Sequence, residues 1–275
     1  MIDFDKLERE TSRLGLQYLE AHPFPHIVID NFLLPEVAEQ AYRQFPPLEK
    51  MDALKDIRQV KAQDPAIHKF EAVFQDIILK HLNSERFLRF VSNLTGIHNL
   101  FADPQLYAAG LAQGGNGSFL NVHIDNSSHP KQPWYRRVNI LVYLNKHWTE
   151  QKGGHIEFWD EQMEKSTAIL PVFNRAVLFT VSPQSWHGYR KVVTPDGDTR
   201  KSINLYYFTK ESPTGEDYYN VTSFRARPGE TFNRLIYPID NKLRALYRAL
   251  RPNKDAHAVL FEGKTEIEKK RAAKK

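Results

Sequence analysis

Apolar residues along the chain change their period near residue 105. Upstream they recur every three to four positions. In residues 3–20, "DFDKLERETSRLGLQYLE", Leu7, Leu14, Leu16 and Leu19 gather toward one side, which predicts an amphipathic helix. "FPHIVIDNFLL" reads as a short β-branched strand closed by an Asp-Asn break, and "PEVAEQAYRQF" as a helix with Pro35 in its first turn. Residues 70–96 follow helical spacing again, with a break predicted near Asn83 and Ser84.

From residue 105 the period is two. Strand-like runs appear at "QLYAAGLA", "SFLNVHID", "RRVNILVYLN", "GHIEFWD", "TAILPVF", "RAVLFTV", "WHGYRKVV" and "KSINLYYFT". Short strands at this density, separated by Gly, Pro, Asn and Asp turns, predict a sandwich or jelly roll. After 210 a polar, aromatic-rich loop leads to a helix at "NKLRALYRALR" and then a basic tail. The expected fold is mainly β with flanking helices. It divides into an N-terminal helical and entry-strand region (1–104) packed on the core, the β core (105–210) and a C-terminal extension (211–275).

Composition narrows the chemistry. The 275 residues contain no cysteine, so disulfides, thiolate metal sites and cysteine nucleophiles are excluded, and a bound metal must rest on imidazole and carboxylate. The net charge of +5 is concentrated at the end: "KTEIEKKRAAKK" alone carries +4. That describes a local basic tail, not a nucleic-acid-binding fold. The start, "MIDFDKLERE", has no apolar leader segment, and no run of 18 apolar residues occurs. A cytoplasmic protein with no membrane partner is expected.

The candidate chemistry begins in "FLNVHIDNSSHP". Residues i and i+2 of a strand face the same side, so His123 and Asp125 project together and can chelate one ion. A third ligand must come from another strand, and His187 in "SPQSWHGYRKV" suits the role. Two histidines and a carboxylate form the facial triad of non-heme Fe(II) oxygenases. His129, His147 and His155 lie in loops or beside turns and are weaker candidates; the six remaining histidines lie outside the β region. In "TRKSINLYYF", Arg200, Ser202, Asn204 and Tyr206 share one face, and Ile203, Leu205 and Tyr207 the other. An inward polar row is costly without a polar ligand, and an arginine fork beside a hydroxyl fits a carboxylate.

On these residues the β half resembles the Fe(II)/2-oxoglutarate-dependent dioxygenases, particularly the prolyl 4-hydroxylase-like branch. The features that match are His123-x-Asp125, distal His187, Arg200-x-Ser202, "NILVYLN" (139–145), "GGHIEFWD" (153–160) and the entry stretch "FPHIVIDNFLLPEVAEQ". The resemblance implies a double-stranded β-helix core in which His123, Asp125 and His187 bind Fe(II). It further implies that 2-oxoglutarate chelates the metal with its far carboxylate on Arg200, Ser202 and Tyr143. With O2 as second cosubstrate, an unactivated C–H bond is hydroxylated and 2-oxoglutarate becomes succinate. The 13-residue interval from His187 to Arg200 is slightly long; a hairpin turn on Asp196-Gly197 would absorb it, and otherwise Arg190 or Lys201 would be the carboxylate partner.

Asn139, Trp134, Trp159 and Trp186 are substrate-side candidates, with Tyr135 a further aromatic, although core or rim packing explains the aromatic residues equally well. The loop 126–137 lies where a lid would, and Lys131, Arg136 and Arg137 within it read as solvated charge, with recognition of an acidic substrate as the alternative. The substrate stays open among a prolyl or other protein residue, a free amino acid, a sugar and a natural product. A non-catalytic cupin-like module and an isomerase of the same fold are the other readings. The sequence leaves the oligomeric state open.

Overall fold

The computed structural model describes residues 1–129, 131–216 and 220–250, the side chains at 248 and 249 excepted. The basic tail lies outside the described residues. All eight predicted runs contain a strand: β5 (Gly110–Gly114), β6 (Phe119–Ile124), β7 (Tyr135–Tyr143), β8 (Ile156–Trp159), β9 (Ser166–Ile169), β10 (Arg175–Thr180), β11 (Trp186–Tyr189) and β12 (Arg200–Thr209). The entry strand β1 (His26–Asp30) also forms, and pairs with β10. Unforeseen by the spacing are a hairpin of β2 (Ala53–Lys55) and β3 (Gln59–Asp64), and two-residue strands β4 (Phe101–Ala102) and β13 (Ser223–Phe224).

The antiparallel sheet runs β1-β10-β7-β12-β5-β3-β6-β11-β8-β9 and curls on itself as a double-stranded β-helix with flanking helices. Strand β3 closes the gap between the halves: it pairs with β5 through Ala62–Gln113 and with β6 through Gln59–Leu120. Helix α1 (Phe4–Glu20), α2 (Pro35–Arg43), α3 (Ala72–Gln75) with the π turn that follows it (Asp76–Leu82), and α4 (Glu85–Thr95) cover the outer face of the larger half. The break at Asn83 and Ser84 is present, and the Ser84 hydroxyl caps α4. As the alternation in β12 requires, Ile203, Leu205 and Tyr207 join the helices in one core. Strand β10 divides the same way, Ala176 and Leu178 outward to the helices, Val177 and Phe179 into the fold.

Three expectations need correction. In α1, Leu7 and Leu14 are buried but Leu16 and Leu19 are 62% and 60% exposed, because they lie off the stripe set by positions 7, 14 and 18. The Asp196-Gly197 segment does turn, with the Gly197 amide donating to the Thr194 carbonyl, but no hairpin results. Strand β11 pairs with β6 and β8, and β12 with β7, β5 and β4, so residues 190–199 cross from one half of the sheet to the other. The extra length is used in that crossing. The C-terminal helix, α5 (Thr231–Leu250), begins ten residues earlier than the spacing indicated and contains Pro238.

Candidate active site

Strands β6 and β11 are direct neighbours, and His123 lies opposite His187 in register. The ring Nδ1 of His123 faces the Asn121 carbonyl at 2.9 Å, and that of His187 faces the Ser185 carbonyl at 2.9 Å. A carbonyl only accepts, so each Nδ1 carries the proton and each Nε2 turns a lone pair inward. Asp125, just past the end of β6, meets both: its Oδ1 is 3.5 Å from His123 Nε2 and its Oδ2 3.6 Å from His187 Nε2. Donors each about 2.1 Å from a shared ion lie roughly 3–3.5 Å apart, so the three converge as one metal would require. Among the described residues this is the one group of three such donors, all within 4.8 Å of one another.

The electrostatics favour a ligating state. Burial holds the His187 imidazole down to about 4, helped by the neighbouring His123, so it is neutral at neutral pH. Burial pushes Asp125 upward, but the Arg136 guanidinium foremost outweighs it, and the carboxyl stays well below its usual range. Arg136 Nη1 is 3.4 Å from Asp125 Oδ1, its guanidinium lies 3.9 Å over the Tyr206 ring, and the residue is 3% exposed. This overturns its reading as a solvated loop charge. A bulge at Arg137 explains the change: Val138 pairs with Tyr207 and Arg136 with the next residue, Phe208, so one extra residue swings Arg136 to the inner face. On the other oxygen, Asn139 Nδ2 donates to Asp125 Oδ2 at 2.7 Å.

The triad lines a pocket together with Arg200, Lys61, Asn204 and Tyr206. Arg200 Nε donates to the Gly154 carbonyl at 2.7 Å and Nη2 to the Tyr143 hydroxyl at 3.0 Å, and its guanidinium lies 4.2 Å over Tyr189. Gly154 has φ +67° and a Cβ there would come 3.0 Å from Arg200 Cδ, so glycine is needed for both reasons. No carboxylate pairs with Arg200 among the described residues. Ser202 sits opposite Tyr143 across the β7–β12 ladder, sealed from solvent, and its hydroxyl has no hydrogen-bond partner. A buried, unneutralised guanidinium beside an orphan hydroxyl fits an anionic ligand. Arg190 is instead exposed and pairs with Glu157, and Lys201 donates to Thr199.

The tryptophans lie elsewhere. Trp159 and Trp186 face each other across β8 and β11 and pack with Val122 and Ile124. Trp134 packs on Phe101, His129 and Phe208. None borders the pocket. Lys61 does, and sequence reasoning missed it. Burial lowers its ammonium to about 8, against the attraction of Asp125. The signal was present in "QVKAQD", where Val60 and Ala62 alternate with Gln59, Lys61 and Gln63.

The curled double-stranded β-helix holds a His-x-Asp…His cluster beside a buried arginine, and residues 109–208 match the family model of the 2OG-Fe(II) oxygenase superfamily. Prolyl hydroxylases are among the proteins the chain resembles. Over 220 residues the chain is 25% identical to the prolyl 3-hydroxylase OGFOD1 of Xenopus laevis, covering 77% of this chain and 40% of that protein. It is 28% identical over 145 residues to the prolyl 3,4-dihydroxylase OGFOD1 of Ostreococcus tauri, covering 48% and 26%. The chain thus spans two-fifths or less of the length of these relatives. In fold it resembles a Trichoplax adhaerens prolyl hydroxylase solved with a hypoxia-inducible factor peptide fragment (TM-score 0.54, 20% identity, 75% of this chain and 92% of that one). A prolyl 4-hydroxylase of Phytophthora capsici is similar (TM-score 0.53, 18% identity, 88% and 76%).

Proposed function

We propose that this protein is an Fe(II)- and 2-oxoglutarate-dependent dioxygenase that hydroxylates an unactivated C–H bond, with a prolyl residue of a protein as substrate. The observation that carries the reading is the convergence of His123, Asp125 and His187 next to an arginine that no carboxylate pairs with among the described residues. His123, Asp125 and His187 hold Fe(II) through two Nε2 atoms and one carboxylate, which leaves coordination positions for small ligands. Arg200 binds the far carboxylate of 2-oxoglutarate, oriented by Tyr143 and the Gly154 carbonyl, with Ser202 completing the subsite. Fe(II), 2-oxoglutarate and O2 together supply the oxidising equivalents for C–H hydroxylation, and 2-oxoglutarate leaves as succinate and CO2. Asn139 and Arg136 fix the Asp125 carboxylate in place. The prolyl substrate is supported by the named activities of the relatives.

Lys61 supports a second reading on the substrate side. A cation left over once Arg200 is occupied would suit the carboxylate of a free amino acid as well as a peptide carbonyl. The cytoplasmic location read from the sequence belongs to this proposal; no described helix is long and apolar enough to cross a membrane. The test is coupled turnover: proline-containing peptides and free proline are offered with 2-oxoglutarate, and succinate is measured. Release that requires Fe(II) and disappears in His123→Ala supports the proposal. Turnover that survives that substitution contradicts it.

A further inference from the structure

Helix α5 is inside out. Its inner face is charged: Arg244 is 1% exposed and pairs with Asp240 at 2.9 Å, and Asp240 faces buried Arg58 at 3.7 Å. Its outer face carries Phe232, Leu235, Ile239, Leu243, Leu246 and Leu250, exposed by 68, 71, 57, 45, 57 and 73%. Steps of three and four residues keep these six in a single stripe along the 20-residue helix. A surface helix ordinarily turns such a stripe to the core and its charges to water. Here ion pairs secure the inner side and the apolar side has no cover among the described residues.

We infer that this stripe is the interface of a homodimer in which α5 packs against α5 of a second copy. At about 200 Å² per large side chain, the exposed fractions amount to roughly 700 Å² of apolar surface on each copy. That exceeds the largest apolar patch of a typical monomer, about 300–600 Å². It matches the roughly 800 Å² per partner of a specific interface. One continuous stripe with steps of three and four residues is also self-complementary, as a two-fold axis requires: Ile239 of one copy would meet Leu243 of the other and the reverse. The interface would lie on the helix that braces the metal strand. Asn241 of α5 donates to the Phe224 carbonyl and accepts from the Phe224 amide (2.9 Å each), and Phe224 pairs with His123 in β13–β6.

The full-length protein is measured by light scattering during size exclusion at micromolar concentration. Twice the mass of the 275-residue chain is expected, falling to one chain in Leu235→Glu and in Leu246→Lys with unchanged far-ultraviolet circular dichroism. Since the chain has no cysteine, Ile239→Cys gives a second measurement that does not require disrupting the face. A short bis-maleimide should join two copies through that residue and not through Leu79→Cys, a control at another exposed apolar position (47%). A monomer at every concentration, with no Ile239→Cys cross-link, overturns the inference, whatever else covers the stripe. A dimer that both charge variants leave intact does so too.

Discussion

Replacing Asn139 by alanine separates two roles for that residue. On the strand pattern alone it faces the pocket as a substrate-side candidate, but its Nδ2 donates to Asp125 Oδ2 at 2.7 Å and it is 2% exposed. A buried hydrogen bond to a charged acceptor contributes about 1.5–3 kcal/mol, or about 10- to 150-fold in an equilibrium constant. Arg136 remains 3.4 Å from the other oxygen, so Asp125 stays ionised but is less well oriented. The expected result is a loss of metal affinity of about 10- to 100-fold, as is usual for partners of metal ligands. The KM of the primary substrate, measured at saturating metal, should change little. Anaerobic calorimetric titration with Mn(II) reads the first quantity and succinate release the second. Unchanged metal affinity together with a raised substrate KM would refute the reasoning and return Asn139 to the substrate side.

Other substitutions test the remaining parts of the pocket. Arg200→Met would leave the far carboxylate of 2-oxoglutarate buried and unpaired, at a cost of about 3–5 kcal/mol, so the 2-oxoglutarate KM should rise by a few hundredfold or more; a change below tenfold would contradict the assignment. Gly154→Ala forces a side chain into a φ of +67° and against Arg200 Cδ, and should lower both thermal stability and 2-oxoglutarate affinity; an unchanged melting temperature would argue against that close approach. Lys61 is held at about 8 when folded against an ordinary 10.5, so between those values the unfolded chain binds more protons and stability rises with pH. Relative to Lys61→Met, wild-type protein should gain about 2–3 kcal/mol from pH 8 to 10.5 in urea melts. Parallel curves for the two proteins would count against a desolvated ammonium at Lys61.

Much of this site was legible because its signals are local. His123 and Asp125 share a face by strand parity, and Arg200, Asn204 and Tyr206 reach the pocket by the same rule, with Ile203, Leu205 and Tyr207 going to the helices. What was not legible depends on tertiary pairing. Arg136 turns inward only because a bulge adds one residue to β7, and a one-residue slip reverses every side chain before it. Lys61 lies in a hairpin whose alternation is too short to stand out from the helical spacing around it, yet β3 places it at the seam between the two halves of the sheet. The tryptophans misled because size and aromaticity suit core packing as well as a pocket wall. The start of α5 was hidden by Pro238 and by a stripe that faces away from its own core.

Anaerobic titration of the purified protein with Fe(II) and 2-oxoglutarate, followed by visible charge-transfer absorption, tests the central claim most directly, since the band needs metal and cosubstrate bound together. One iron per chain is predicted at saturation, with no band in His187→Ala and a much higher 2-oxoglutarate requirement in Arg200→Met. A His187→Ala protein that develops the same band at the same stoichiometry would contradict the shared site.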